Sequence, residues 1–599
     1  MKIKGSLIVI LFYLFSMTAV DSQAASAAQI YYTVTFPEAQ AHYADIEMRI
    51  SGLAQNQLNL KLPVWTPGSY LVREFSKNIE SLSAATNGKP VEVTKTRKNI
   101  WQINTQGLTD VTVKYRIYAF EISVRTSFID ASRGFLSTSG MFLYPDGMLH
   151  QPSTIHITPY KNWSKVSTSL EMVNNDPFTR YSPDYDILFD SPIEVGNQDI
   201  FTFDAGGVKY EVAMVNQGNY DKERLKKDMA HIVELETAIY GENPNKHYTF
   251  IVQNYAKGGG GIEHLSSTVL GAARNAYGTE TGYQGFLALV AHEHFHLWNV
   301  KRLRPIALGP FDYDNENYTT DLWIAEGFTA YYDNMIVHRT KLYSTENYLG
   351  VLAADINTVE NQPGAKVQPL SQSSFDAWIK SYRPDENSIN TTISYYNKGS
   401  LIAMMLDLEI INDTKGAQSL DDVMRYMYQE YYKNKKRGYT DAEFKQALEK
   451  FAGRNLDDFY KKYINGLADI DYNHYLGYAG YQVVNDYANT NNPTLGIKMV
   501  SFNGRLKVAA VLRGSAAWID GINVNDELMA IDGNPITDAN NLLPGKHVGD
   551  KVTVSLLRDG LPMEVPITLL KDQQVKYRII SVNNVTPQQL TVRNKWLKN

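Results

Sequence analysis

The apolar residues of this 599-residue chain change period twice along its length, which is more than one compact domain accommodates. From Tyr31 to about Ile193 they recur at every second position. The segment "VTVKYRIYAF" is the clearest case, with Val111, Val113, Tyr115, Ile117 and Ala119 alternating with polar or amphipathic residues. Alternation that long means strands with one buried face, so the spacing predicts an all-β, sandwich-like domain. From about Val208 the period becomes helical, in "KERLKKDMAHIVELETAIYG", "GFLALVAHEHFHLW", "LIAMMLDLEIIN" and "TDAEFKQALEKFAG". In the last of these, Thr440 and Glu443 have the spacing of a capping box, and Phe444, Ala447, Leu448 and Phe451 form one apolar stripe. After "GLADIDYNHYLG", β character returns. The expected architecture is multidomain α+β: a β domain at 28–200, a mixed, helix-rich domain at 201–470 and a smaller β module at 476–571. The last stretch, 572–599, is too short to fold alone and is expected to pack on a neighbour.

These domains must hold together without covalent help, because the chain has no cysteine. The same absence leaves histidine, aspartate and glutamate as the ligands for any metal. A formal net charge of −6 gives no basic excess to neutralise a phosphate backbone, so nucleic acid is not an expected partner. The first residues combine Lys2 and Lys4, an apolar run from about Leu7 to Val20 and the small residues Ala25-Ser26-Ala27. That order is a secretory signal peptide spanning 1–27. An uncleaved anchor is the alternative, but the run is shorter than the roughly 20 residues that cross a bilayer. The mature protein is expected to be exported, periplasmic or secreted, with no membrane span left after cleavage.

Three histidines and a glutamate crowd into "HEHFH", residues 292 to 296, in a chain with 12 histidines. On a helix His292 and His296 are one turn apart and point the same way, so their imidazoles can grip one ion. Glu293 projects at the edge of that face and reaches a water on the ion without ligating it. This H-E-x-x-H spacing is the signature of zinc hydrolases, although an amphipathic helix carrying histidines by chance also matches it. His294 falls on the other side of the helix and reads as a packing residue.

A catalytic zinc needs a third protein ligand and one open position. Glu326, in the apolar and aromatic "DLWIAEGFTAYYDN", is a carboxylate in need of a partner, which zinc supplies. Glu316 and Asp321 compete for that role from polar, loop-like stretches. Gly258 to Gly261 precede Ile262 and Glu263; such a run is either a flexible surface loop or a backbone that approaches a ligand, with Glu263 ready for a cationic group. Tyr395 and Tyr396 open a long apolar helix, where a phenol can donate to an oxyanion. The basic run "KRLRP", 301 to 305, reads as a solvated face, as a helix C-terminus or as a contact for a peptide carboxylate.

Taken in order, "GGGGIEH", "HEHFH", "WIAEGFTAYY" and "YNKGS" resemble the glycyl aminopeptidase family of gluzincin metallopeptidases, and "LPVWTPGSYLVREFSKNIE" (62 to 80) resembles that family's N-terminal domain. The resemblance reaches from about residue 29 to about 570. It implies a β-rich N-terminal domain, a thermolysin-like catalytic domain and a C-terminal PDZ domain. It implies one zinc held by His292, His296 and Glu326, with Glu293 as general base and Tyr396 stabilising the tetrahedral intermediate. Glu263, together with Gly260 and Gly261, matches the segment that binds the free α-amino group of a peptide, and the implied preference is for N-terminal Gly or Ala. Ile262 and His264 depart from that segment's usual Met and Asn. The 29 residues between His296 and Glu326 (297 to 325) form a longer spacer than in better-known relatives.

"TLGIKM" and "VLRGSAAWIDGINVNDELMAIDGNPI" resemble a PDZ domain, with Leu495, Gly496 and Ile497 as its carboxylate-binding loop, open to a C-terminal peptide ligand. The expected function is therefore an exported zinc aminopeptidase acting on peptides with a free N-terminus. A zinc endopeptidase and a non-catalytic PDZ peptide-binding protein are the alternatives.

Overall fold

The computed structural model describes residues 28–536 and 541–598, so the signal peptide expected at 1–27 lies outside the described residues. The alternating N-terminal segment forms strands as its period requires. Asp110–Tyr118 buries Val111, Val113, Tyr115 and Ile117 and runs antiparallel between Tyr43–Ser51 and Ile79–Thr86 in an eight-stranded sheet. Two four-stranded sheets complete this domain around a shared core that includes Tyr32, Met48, Leu60, Leu143 and Ile155.

The second domain opens with strands of its own. A five-stranded sheet runs in the spatial order Asp199–Ala205, Val208–Val215, His247–Tyr255, Ser267–Ala273 and Gly260–Glu263. The three middle strands are parallel, and the edge strand Gly260–Glu263 is antiparallel to its neighbour. His247–Tyr255 and Ser267–Ala273 are buried along almost their whole length, as parallel strands covered on both faces must be. The crossover helix Lys222–Tyr240 is capped by the Asp221 carboxylate at its start and by left-handed Gly241 at its end.

Beside this sheet pack the helices Glu280–Phe295, Gly327–Arg339, Thr345–Glu360 and Tyr395–Asp413. Two of them touch backbone to backbone: a Cβ on Gly327 would stand 2.6 Å from Cα of Gly399. Only glycine permits that approach, which brings the segment after Glu326 against the helix that starts at Tyr395. The expected capping box is present, with Thr440 accepting from Glu443 and Phe444, Ala447 and Leu448 buried behind it.

Residues 297–325 form a strap that crosses to the N-terminal domain. Tyr313 is buried in the core of that domain, Asp314 pairs with Lys61 at 2.8 Å, and the Trp65 indole donates to the Asp312 carbonyl. The helix read through Trp298 ends earlier, at Phe295, with His296 as its C-cap. The cause is a tight turn: the Leu303 amide returns to the Trp298 carbonyl at 2.7 Å, and Val300 takes a φ of +116°, rare for a β-branched residue.

The C-terminal module is a small β domain with its own core, including Val508, Leu528, Val554 and Ile567. The segment beyond it packs on its neighbours. Tyr577–Ser581 pairs with Tyr481–Asn485, and helix Pro587–Leu597 sinks Trp596 against Tyr331, to whose hydroxyl the indole donates. Among the described residues no helix is long and apolar enough to cross a membrane.

Candidate active site

His292 and Glu293 lie in the last turn of helix Glu280–Phe295, which Thr279 caps at its N-terminus, and His296 is the residue that ends it. Nε2 of His292 and Nε2 of His296 are 3.1 Å apart, and Oε2 of Glu326 lies 3.6 and 3.3 Å from them. Three ligand atoms at about 2.0 to 2.2 Å from one tetrahedral zinc sit at about such mutual distances. The outer nitrogens are engaged as metal-binding histidines require: Nδ1 of His292 faces Asp333 Oδ2 at 3.0 Å, and Nδ1 of His296 faces the Asn299 carbonyl at 2.7 Å. Each partner fixes a ring so that Nε2 presents its lone pair to the centre. The residues present therefore fit zinc.

The turn after the helix serves this arrangement. Asn299 aims its carbonyl at His296, and its side-chain amide donates to the carbonyls of Ile324 and Ala325, just before Glu326. One residue thus sets both His296 and the segment carrying Glu326.

Burial would push Glu326 up, but the two imidazoles facing it hold it below the ordinary carboxylate range. Burial, opposed by His292 and His296 and helped by Glu263 and Glu326, pushes Glu293 up to about 7. Its Oε2 is buried without a hydrogen-bond partner, as is Oε1 of Glu263. Glu263, Glu293 and His296 offer ligand atoms within 4.8 Å of one another, so Glu263 belongs to the same centre.

Gly261 and Gly260 have different duties. A Cβ on Gly261 would lie 2.2 Å from Oε1 of Glu293, so the edge strand passes directly over this carboxylate. Gly260 has a φ of +98°, which starts the strand. The outer edge of Gly260–Glu263 pairs with no strand among the described residues.

Tyr396 stacks on the His292 ring with centroids 6.1 Å apart, and burial holds its phenol protonated well above neutral pH. Tyr395 is fully buried behind it. His294 points away into the core, where Nδ1 meets Glu236 Oε2 at 2.5 Å and Nε2 meets the Tyr210 hydroxyl at 3.0 Å. Burial pushes it down to about 3, so it is a neutral packing residue. Asp321 is buried beside Asp441, and neither it nor Glu316 belongs to the ligand cluster.

The N-terminal domain closes the site, which the sequence reading missed. A Cβ on Gly68 would stand 2.6 Å from Oε2 of Glu263, and the Arg125 guanidinium donates to the Gly261 carbonyl at 2.9 Å. Tyr70 and Tyr382 meet edge to face, and the Tyr382 hydroxyl lies 3.4 Å from the Gly68 carbonyl. Asp333 was legible in principle, since it lies two helical turns after Glu326. Arg125, 136 residues from its partner, carried no local signal.

In the C-terminal module Gly496 has a φ of +73°, and its amide, expected to face a peptide carboxylate, is already engaged: it donates to Thr494 Oγ1 at 3.0 Å. The neighbouring strand Ile497–Phe502 lies at the edge of its sheet, and Leu495 is buried in the core.

Known families account for all three modules. Residues 31–197 match the peptidase M61 N-terminal domain, 285–402 the M61 glycyl aminopeptidase and 493–569 the PDZ domain. A solved aminopeptidase N family protein from Idiomarina loihiensis is 30% identical, with a TM-score of 0.89 over 95% of this chain and 100% of that one. An M1 zinc metallopeptidase from Deinococcus radiodurans is 12% identical with a TM-score of 0.43, covering 71% of this chain and 90% of that one. Legionella pneumophila aminopeptidase A is 13% identical with a TM-score of 0.47, covering 93% and 57%. No curated protein matches the chain. The identity to the Idiomarina protein over nearly the full length, with the three matched domains in order, means that the chain belongs to the M61 glycyl aminopeptidase family of metallopeptidases.

Proposed function

We propose that this protein is an exported zinc aminopeptidase that removes N-terminal glycine or alanine from peptides, with one zinc per chain held by His292, His296 and Glu326. The observation that carries the exopeptidase half is Glu263, a buried carboxylate with an unpartnered oxygen beside Glu293 and His296. An ammonium group is the natural partner for such a charge. A substrate anchored there by its N-terminus has its first peptide bond next to the zinc ligands. Gly68 presses against Glu263 from above, with Tyr70 and Tyr382 alongside, and this leaves little room for a large first side chain. Export rests on the basic, apolar and small-residue order of the first 27 residues.

When bound, zinc supplies Lewis-acid polarisation of the scissile carbonyl and acidifies a water. The residues of the chain do the rest. Glu293, buried beside the centre with an unpartnered Oε2, takes the proton of the attacking water and passes it to the leaving amine nitrogen. The Tyr396 phenol, protonated at working pH, donates to the oxyanion that forms on the carbonyl. The free edge of Gly260–Glu263 can pair with the substrate backbone, and the edge strand Ile497–Phe502 of the PDZ module can add a C-terminal peptide in the same manner.

The test is hydrolysis of Gly-, Ala- and Leu-para-nitroanilide by the zinc-loaded mature protein beside Glu293→Gln. Release from Gly and Ala exceeding that from Leu is expected, with at least a roughly 100-fold loss in the variant at unchanged zinc content. Cleavage of N-acetylated peptides at the same rate as free ones would show an endopeptidase instead.

A further inference from the structure

The basic run at 301 to 305 has no part in the peptidase site, yet the strap gives it a defined place. Lys301, Arg302 and Arg304 line a cavity of ≈ 720 Å³ between the N-terminal domain, the strap and the segment around Lys436. That is the volume of a small-molecule site. Lys433, Lys436 and Arg437 stand on its rim, and Asp186 and Asp190 are the carboxylates on its wall.

Most of these charges are already answered. Lys301 donates to Asp190 at 2.7 Å, and Arg302 donates to the carbonyls of Leu297 and Leu265. Lys433 and Arg437 pair with Glu242 and Glu443 just outside the cavity. Six cationic side chains against four carboxylates leave two positive charges, in a chain whose net charge is −6. Arg304 and Lys436 are the two side chains with neither a hydrogen bond nor an ion pair among the described residues.

Arg304 is also held still. Its guanidinium lies against Gly309, where a Cβ would come within 2.3 Å of Nη2, and over the Phe311 ring at 5.0 Å. A fixed planar fork with no acceptor is suited to a carboxylate or a phosphate. Phe311, Ile187 and Tyr432 add an apolar surface beside it.

We propose that this cavity is a second ligand site, separate from the zinc centre, for a small organic dianion with an aromatic or apolar body. Arg304 takes one acidic group, Lys436 faces the second charge and the apolar wall receives the body. The site does not depend on the peptidase reading. Carboxylates and a phosphate ester offer the same chemistry here, and the test separates them.

Isothermal titration of the zinc-loaded mature protein with phthalate, phenyl phosphate and inorganic phosphate reads the site directly. One of the two aromatic dianions is expected to bind once per chain, at least about tenfold more tightly than inorganic phosphate, and its identity names the acid group. Arg304→Gln and the rim substitution Lys436→Gln are each expected to weaken that binding about tenfold or more. Lys436 is exposed, so its variant keeps the test valid if the Arg304 variant folds poorly. Absence of binding at millimolar concentration, equal binding of inorganic phosphate, or binding that survives Lys436→Gln would overturn the proposal.

Discussion

Gly261 shows how narrowly the Glu293 carboxylate is held. Its α-carbon faces Glu293 so closely that a methyl group would lie 2.3 Å from the carboxyl carbon. Gly261→Ala is therefore expected to displace Glu293 rather than unfold the strand, lowering kcat by about 100-fold while zinc content stays normal, as rate assays beside metal analysis would read. Asp333 acts on the other side of the centre, through Nδ1 of His292 at 3.0 Å. Asp333→Asn should cost about 10- to 100-fold in zinc affinity, measured by competition with a chromophoric chelator, and an unchanged affinity would remove Asp333 from ligand support. At this scale the sequence was legible where function follows helical spacing. His292 and His296 could be read because one helical turn joins them, and Glu326 because its neighbours are apolar. Gly68 and Arg125 could not be read, because their partners Glu263 and Gly261 lie in another domain and no periodicity links them.

Among the elements, the strap 297–325 carries little sequence signal yet ties the two domains together. Polar, aromatic and basic residues follow one another there without a period, so only the structure reveals that Tyr313 is a core residue of the other domain. The strap also depends on one buried charge, Asp190. Burial would raise its pKa, but Lys301 and His264 hold it down at about 2. A carboxylate depressed in the folded state stabilises above its unfolded value of about 3.9 and loses that contribution as pH falls through its folded value. Asp190→Asn leaves buried Lys301 without its counter-charge, so a loss of about 3 to 5 kcal/mol is expected at pH 7. The gap between the two proteins should narrow as pH falls from about 4 to about 2 in denaturant melts. A gap independent of pH would show that packing, not charge, holds the strap. By contrast, the helix after Thr440 was readable in full, since its cap and its apolar stripe are both local.

For the whole molecule, the two changes of period marked the modules but said nothing of how they dock, and the C-terminal module is pinned through single asparagines that belong to no period. Asn357 and Asn361, at the end of helix Thr345–Glu360, each exchange two hydrogen bonds with the backbone of the C-terminal strand, at Tyr577 and at Val575. Their amides take the place of a neighbouring strand. Asn390 does the same for the PDZ module, donating to the Val511 carbonyl and accepting from the Arg513 amide. Strand Tyr577–Ser581 pairs with Tyr481–Asn485, so the entry and exit of the module are tied together and pinned to the catalytic domain. Each hydrogen bond contributes about 0.5 to 1.5 kcal/mol. Replacing all three asparagines by alanine is expected to release the PDZ module, raising the radius of gyration in small-angle scattering and opening residues 486–492 to proteolysis. Hydrolysis of Gly-para-nitroanilide should change by less than about twofold, since none of the three touches the zinc ligands or Glu293. If scattering is unchanged, the module is held by its apolar contacts and the asparagines only refine its orientation. If small-substrate turnover falls with release, the helix Ser388–Thr391, which carries Asn390 just ahead of Tyr396, transmits the docking into the active site.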